Sequence, residues 1–146
     1  MASNSLSKII CNGGLFLSTN TKRFLLVQRT QSKTIGTWGL VGGKKEPTDL
    51  TTLDSLTREI KEEVGYTPEI KKIIPLELFT SSDQNFQYNT YILLVENEFI
   101  PKLNSEHMGY CWSMYDRWPK PLHQALKNSL HNKTIKTKIE VLLDLL

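Results

Sequence analysis

The sequence predicts an α/β fold in which helices cover a mixed β-sheet. Apolar runs rich in β-branched and aromatic residues recur along the chain at strand length, and apolar residues at helical spacing occur in its middle and at its end. No internal repeat, low-complexity segment or long linker divides the 146 residues. We therefore expect one domain over residues 1–146, large enough to bury a core without metal or disulfide staples.

The strand pattern begins near the N-terminus. The five predicted strands cover residues 9–17, 24–28, 70–79, 86–95 and 110–114. A polar linker of hairpin type, residues 18–22, joins the first two. Residues 30–45 are rich in Thr, Ser and Gly, and we expect them to form a loop that closes on Gly42 and Gly43 with its backbone exposed.

A helix is predicted to follow this loop, and helical segments close the chain. Thr51 and Asp54 have the spacing of a capping box, and Gly65 lies where a C-terminal glycine cap belongs. The apolar residues between them recur at helical spacing: Leu53, Leu56, Ile60 and Val64. After two prolines, one or two helices are predicted over residues 123–130 and 134–146.

Composition and charge exclude several classes of protein. Eighteen Lys and Arg against 15 Asp and Glu give a net charge of +3, and the basic residues are scattered, so an anionic small ligand is favoured and DNA binding is not expected. No apolar stretch approaches the roughly 18 residues of a membrane span. Residues 1–8 lack a positively charged stretch followed by an apolar run, so we expect no secretory signal there. We expect a cytoplasmic protein without a membrane partner. The sequence leaves open whether it forms a homodimer. Cys11 and Cys111 are expected to pack as small apolar residues.

Three glutamates of the predicted central helix share one side of it. At 100° per residue, Glu59, Glu62 and Glu63 occupy an arc of roughly 100° beside the apolar stripe. A charge run is usually a solvated face, but like charges at these spacings repel, and Glu62 and Glu63 stand at the negative end of the helix dipole. A divalent cation would offset both the repulsion and the unfavourable dipole, and it would bind phosphate oxygens at its remaining coordination positions. The arrangement therefore indicates a metal site.

The same segment resembles the Nudix box, Gly-x5-Glu-x7-Arg-Glu-U-x-Glu-Glu-x-Gly-U, where U is apolar. Gly43 begins the match, and residues 58–66 read Arg-Glu-Ile-Lys-Glu-Glu-Val-Gly-Tyr, so that the box ends at Tyr66. The early glutamate of the box would fall at Asp49 counted from Gly43, or at Leu50 counted back from the arginine, so the loop has one extra residue. In the family this acid mainly supports the loop and the box arginine, and the departure therefore concerns loop geometry.

The resemblance implies a Nudix-type α/β/α sandwich and a metal-dependent pyrophosphohydrolase. Its substrate would be a nucleoside diphosphate linked to another moiety: a nucleotide, a nucleotide sugar, a dinucleotide or capped RNA. The family's metal ligands correspond here to the Gly42 carbonyl and to Glu59, Glu62 and Glu63, which would hold Mg²⁺ or Mn²⁺, and Arg58 would orient the carboxylates. A catalytically weak nucleotide-binding module with an altered loop is the alternative.

Further candidates for the reaction lie outside the box. In the family the general base comes from the box helix or from a later loop, so the candidates for the base here are Glu59, Glu106 and His107. We favour Glu106, as a metal ligand or as the base. Arg29, directly after a predicted strand, is a candidate for binding substrate phosphate. Aromatic residues at such strand positions are more typical of a core, but they are also candidates for stacking on a nucleobase. These candidates are Trp38, Phe86, Tyr88 and Trp112.

Overall fold

The structure, a computed structural model that describes residues 8–146, has helices on both faces of a seven-stranded sheet. The strands are β1 (Ile9–Ser18), β2 (Arg23–Arg29), β3 (Trp38–Gly39), β4 (Val41–Lys44), β5 (Lys72–Thr80), β6 (Phe86–Val95) and β7 (His107–Met114). The helices are α1 (Thr52–Val64), α2 (Gln124–His131) and α3 (Lys133–Leu145). None of these three helices has the length and apolar character needed to cross a membrane. The predicted α/β/α architecture is confirmed.

The sheet is mixed, as predicted, because β1 pairs with strands of both directions. It runs parallel to β6 along its whole length and antiparallel to β4 over its first half. Leu17 at its end lies opposite Phe24 of β2, which confirms the predicted hairpin. The antiparallel pairs of β5 with β6 and of β7 with β2 extend the sheet on both sides.

The side chains of each strand alternate between the two faces of the sheet, so the core has two layers. Successive side chains of a strand point to opposite faces, so Phe16 packs with Ile60 of α1 on one face. Leu17 and Phe24 pack with Ile139 of α3 on the other face. The sheet is therefore covered by α1 on one side and by α2 and α3 on the other.

Helix α1 begins and ends where the sequence predicts. The Thr51 hydroxyl accepts from the Asp54 N–H at 3.0 Å, and the Asp54 carboxylate accepts from the Thr51 N–H at 3.1 Å, which completes the capping box. Gly65 ends the helix in the left-handed conformation, with φ of 89°. Leu53 is 41% exposed, so the buried apolar stripe starts at Leu56 rather than in the first turn.

The prediction of one continuous loop over residues 30–45 is wrong, because β3 and β4 form within it. These strands are very short and rich in glycine, so they lack the period-2 apolar pattern that reveals a strand. His107 was assigned to a loop, but β7 begins at that residue. The other helix and strand bounds lie within two residues of the predicted ones.

The two cysteines have different surroundings. Cys111 is partly buried and packs against the core between the sheet and helices α2 and α3, as predicted. Cys11 is also partly buried, but it lines a cavity described below. Both are free thiols.

Replacing Ile139 with alanine tests the docking of α3 on the sheet. Ile139 is fully buried, whereas Val141 on the same helix is 52% exposed. We expect Ile139→Ala to lower the free energy of unfolding by about 2–5 kcal/mol, and Val141→Ala to change it by less than about 1 kcal/mol, in urea titrations of both variants. Equal losses in the two variants would contradict this packing.

Candidate active site

Two glycines of β4 allow the sheet edge to approach α1 closely. The Gly42 N–H donates to Glu63 Oε1 at 3.2 Å. A Cβ on Gly43 would lie 2.6 Å from Glu59 Oε1, so any larger residue there would displace that carboxylate. A Cβ on Gly42 would lie 2.0 Å from the main-chain oxygen of Asn12, because β4 pairs tightly with β1. Position 42, where φ is 154°, therefore requires glycine, whereas a larger residue at position 43 would move the end of the Glu59 side chain.

Three carboxylates converge beside these glycines. Oxygen atoms of Glu59, Glu63 and Glu106 all lie within 4.8 Å of one another. Glu59 and Glu63 are buried and one helical turn apart on α1, whereas Glu106 is exposed and comes from the loop before β7. Three hard oxygen donors at this spacing suit a divalent cation such as Mg²⁺.

Glu62 lies outside this carboxylate cluster. Its side chain is 52% exposed, and its carboxylate pairs with Arg58 at 3.3 Å. One residue of helix turns it about 100° away from Glu63, so it faces the guanidinium rather than the other acids. The structure thus brings together three of the four glutamates that the sequence nominates as metal ligands.

Arg58 ties the loop before α1 to the carboxylate cluster. Its Nε donates to Asp49 Oδ1 at 3.1 Å and its Nη2 to Asp49 Oδ2 at 3.0 Å. The same guanidinium donates to the Lys44 main-chain oxygen and to Glu59 Oε1, each at 3.1 Å. Hydrogen bonds from Arg58 and from the Glu46 N–H hold the pKa of Asp49 below its ordinary value. Asp49 in turn raises the pKa of Arg58.

The contact with Asp49 explains how the chain accommodates the extra loop residue. Asp49 is 8% exposed, whereas its neighbour Leu50 is 88% exposed and turned away from the site. Counting forward from Gly43 therefore identifies the acid that contacts the arginine, although its side chain is one methylene shorter than glutamate. The additional residue is accommodated between Asp49 and the start of α1.

The loop that carries Glu106 is fixed from both sides. Asn104 donates from Nδ2 to the Glu62 main-chain oxygen at 3.0 Å, and its Oδ1 accepts from the Glu106 N–H at 2.9 Å. On the other side, the Thr30 N–H donates to the Glu106 carbonyl at 3.1 Å and the Thr30 hydroxyl to the Ser105 carbonyl at 2.7 Å. The sequence reading missed Asn104 and Thr30, and an Asn two residues before an acid is a turn signal that could have found the first.

His107 lies behind the carboxylate cluster. It is buried, its Nε2 is 3.7 Å from Glu63 Oε1, and its Nδ1 has no hydrogen-bond partner among residues 8–146. Burial, and secondarily the charge of Arg29, lower the pKa of His107 to about 4, so the ring is neutral at pH 7 and forms no ion pair with Glu63. Burial and then the hydrogen bond with Glu59 raise the pKa of Glu63.

A cavity of about 830 Å³ extends from the carboxylate cluster across the sheet to α2. Arg29 and Lys44 are the Arg and Lys side chains in its walls, among the residues that the structure describes. The Arg29 guanidinium donates from Nε to the Thr34 hydroxyl at 3.1 Å and from Nη2 to Gln31 Oε1 at 2.7 Å. The positively charged Arg29 side chain is thus held in place where it can bind an anionic group beside the acids.

The aromatic candidates divide between the cavity and the core. Phe86 and Tyr88 line the cavity. Trp38 and Trp112 do not; each packs against one of the two core layers. The prediction that Trp38 binds substrate therefore gains no support from its position. The sequence analysis missed Phe79, which lines the cavity from β5.

The chain matches the sequence model of the family described as NUDIX domain over residues 13–133, which is most of its length. The chain belongs to the Nudix family. The predictions of this family and of a Nudix hydrolase are confirmed. Comparison with curated proteins gave no significant match.

Solved structures share the fold at low sequence identity. The MutT protein from Methanosarcina mazei Go1 has a TM-score of 0.67 and 22% identity, over 94% of this chain and 96% of that one. An ADP-ribose pyrophosphatase from Streptococcus suis 89-1591 has a TM-score of 0.66 and 20% identity, over 92% of each chain. A MutT/nudix family protein from Enterococcus faecalis has a TM-score of 0.65 and 22% identity, over 77% of this chain and 46% of its own. The chain thus spans less than half of the Enterococcus protein.

Replacing Asp49 tests whether its ion pair with Arg58 organises the loop. We expect Asp49→Ala to lower the melting temperature and Leu50→Ala to leave it nearly unchanged. Arg58 lowers the pKa of Asp49, so the ion pair stabilises the wild type fully above about pH 4, the ordinary pKa of an aspartate. The difference in melting temperature between the wild type and Asp49→Ala should therefore shrink as the pH falls through the lower pKa that Asp49 has in the folded state. Melts between about pH 7 and about pH 2 check this. An advantage that persists undiminished at the acid end would contradict it.

Proposed function

We propose that this Nudix hydrolase is a metal-dependent pyrophosphohydrolase that cleaves a phosphoanhydride bond of a nucleoside diphosphate linked to another moiety. Such a substrate is a nucleotide, a nucleotide sugar, a dinucleotide or capped RNA. One observation carries the proposal: Glu59, Glu63 and Glu106 converge in the wall of a cavity that also holds Arg29. We propose further that a single domain spans residues 1–146 and that a small nucleotide, rather than DNA, is the partner.

The carboxylate cluster suits Mg²⁺ or Mn²⁺ as the cofactor. Its donors are hard carboxylate oxygens within 4.8 Å of one another, which are the ligands that these cations prefer. We propose that Glu59, Glu63 and Glu106 hold the cation, with the Gly42 carbonyl and Glu62 at the edge of the site. When bound, such a cation polarises phosphate oxygens and lowers the pKa of a coordinated water.

The chain's own side chains bind and orient the substrate in this proposal. Arg29 binds a phosphate oxygen, with its guanidinium held in place by two side-chain hydrogen bonds. Arg58 orients Glu59. Glu106 is our candidate for the general base, because it is the exposed member of the cluster and its loop is fixed on both sides. Glu59 and the buried, neutral His107 are the alternatives.

Two observations support this assignment over a catalytically weak nucleotide-binding module. The altered loop is the ground for that alternative, but Asp49 still contacts Arg58 with both carboxylate oxygens. One structural relative is an ADP-ribose pyrophosphatase, and ADP-ribose is a nucleoside diphosphate linked to a sugar. Both favour an active enzyme on substrates of this class.

Substituting Glu106 tests its role as base or ligand. We expect Glu106→Gln to lower kcat by roughly 10²-fold or more, since general-base catalysis contributes about 10²–10⁴-fold. Glu69→Gln, at an exposed acid outside the cavity, is the matched control and should keep the wild-type rate. The measurement is steady-state hydrolysis of ADP-ribose and of nucleoside triphosphates with Mg²⁺. A large loss in His107→Ala alone, with its fold intact, would move the role to His107.

The bond that breaks can be identified with labelled water. Because the site offers carboxylates and, within residues 8–146, no nucleophilic triad, water should attack phosphorus directly without a covalent enzyme intermediate. Hydrolysis in ¹⁸O-water should place one label on one of two phosphate-bearing products, in a single turnover as well as at steady state. A trapped phosphoenzyme, or release of inorganic phosphate alone, would refute the proposed reaction.

A further inference from the structure

A β-bulge in β5 turns an acidic side chain into the cavity. Pro75 lies opposite Tyr91 of β6, but Glu77 lies opposite Thr90, so Leu76 is an extra residue in the pairing. Consecutive residues of a regular strand point to opposite faces, whereas Leu76 and Glu77 both line the cavity. Bulges of this kind redirect side chains beside active sites. The sequence analysis missed Glu77, although a proline within a strand is a signal of a bulge.

Glu77 lies across the sheet from the carboxylate cluster. Strand pairing connects Glu77 to Thr90 of β6, then to Gly13 of β1, and then to Gly42 of β4. Neighbouring strands are about 4.8 Å apart, so this row places the backbones of Glu77 and Gly42 about 14 Å from each other. Such a span suits a nucleoside whose phosphate lies at the Gly42 end and whose base lies at the Glu77 end.

The Glu77 end of the cavity combines flat apolar surface with a hydrogen-bond acceptor. Phe79 and Phe86 line it, with their ring centroids 6.2 Å apart. The Ser129 hydroxyl of α2 donates to Glu77 Oε1 at 2.6 Å, which fixes the carboxylate. Within residues 8–146, Glu77 Oε2 has no hydrogen-bond partner. This oxygen can therefore accept from a ligand.

The charges along the cavity show which part of a substrate belongs at this end. Arg29 lines the cavity from the end of β2, and Lys44 from the last residue of β4, beside Cys11 of β1. Lys138 is near β5, but its Nζ donates to the Leu76 main-chain oxygen and it does not line the cavity. With the proposed cation on the carboxylate cluster, Arg29 and Lys44 favour a phosphate at that end, and an uncharged group that donates a hydrogen bond is favoured at the Glu77 end.

We propose that Glu77 determines specificity by accepting a hydrogen bond from the exocyclic amino group of the substrate's nucleobase, which lies against Phe79 and Phe86. This inference rests on the proposed function and names its substrate class: nucleoside diphosphate derivatives of adenine or cytosine, whose amino group stands where hypoxanthine and uracil carry a keto group. A keto group at the same position is an acceptor and faces the carboxylate unfavourably, so derivatives of uracil and hypoxanthine are poor substrates.

The test compares substrates that differ in one amino group. The probes are ADP-ribose and its inosine counterpart, and CDP-glucose and UDP-glucose, each measured as kcat/KM with Mg²⁺. We expect the wild type to prefer the amino form about 10-fold to 100-fold, the range of a hydrogen bond to a charged group. Glu77→Gln preserves an acceptor for Ser129 and should weaken the preference, and Glu77→Leu should abolish it. Glu69→Gln is the control and should keep it.

The outcomes separate the inference from the function on which it rests. If no probe and no other nucleotide is hydrolysed by the wild type, the proposed function fails. If the wild type hydrolyses amino and keto forms equally well, or if both folded Glu77 variants keep the full preference, the role of Glu77 is overturned while the function stands. Melting temperatures of the variants show that the comparison concerns folded protein.

Discussion

Mutual repulsion among three carboxylates within 4.8 Å of one another is the constraint on which the site depends. Two of them are buried on α1, where burial makes their charge still less favourable. The surroundings hold them in place: Gly43 leaves room for Glu59, the Gly42 N–H binds Glu63, and Arg58 supplies a compensating charge. A site that keeps this unfavourable arrangement is suited to a divalent cation.

The sheet supplies both the core and the length of the binding cavity. The parallel pairing of β1 with β6 places β4 and β5 on the two sides of this pair, so that one row of paired residues leads from Gly42 to Glu77. On one face, α1 packs on the sheet and presents its acids at the β4 edge. On the other face, α2 closes the cavity and Ser129 holds Glu77. The proposed substrate lies along this row, with its phosphates at the acids and its base beside α2.

The features that the sequence predicted well are local ones. The caps of α1 at Thr51 and Gly65 depend on residues within one or two turns, and so does the placement of Glu59 and Glu63 one turn apart. Features that depend on pairing between distant segments were missed: the glycine-rich strand β4, the bulge that redirects Glu77, and the support of Glu106 by Thr30. Spacing on the helix places Arg58 one turn before Glu62, but it could not show that this contact would take Glu62 out of the cluster.

Binding of Mn²⁺ in the absence of nucleotide tests the central claim most directly, namely that the carboxylate cluster is a cation site. The electron paramagnetic resonance signal of free Mn²⁺ reports how much of the ion remains unbound as protein is added. We predict that the wild type and Glu69→Gln remove Mn²⁺ from solution alike, and that the folded double variant Glu59→Gln/Glu63→Gln does not, since both buried ligands have lost their charge. Undiminished binding by the double variant would contradict this account.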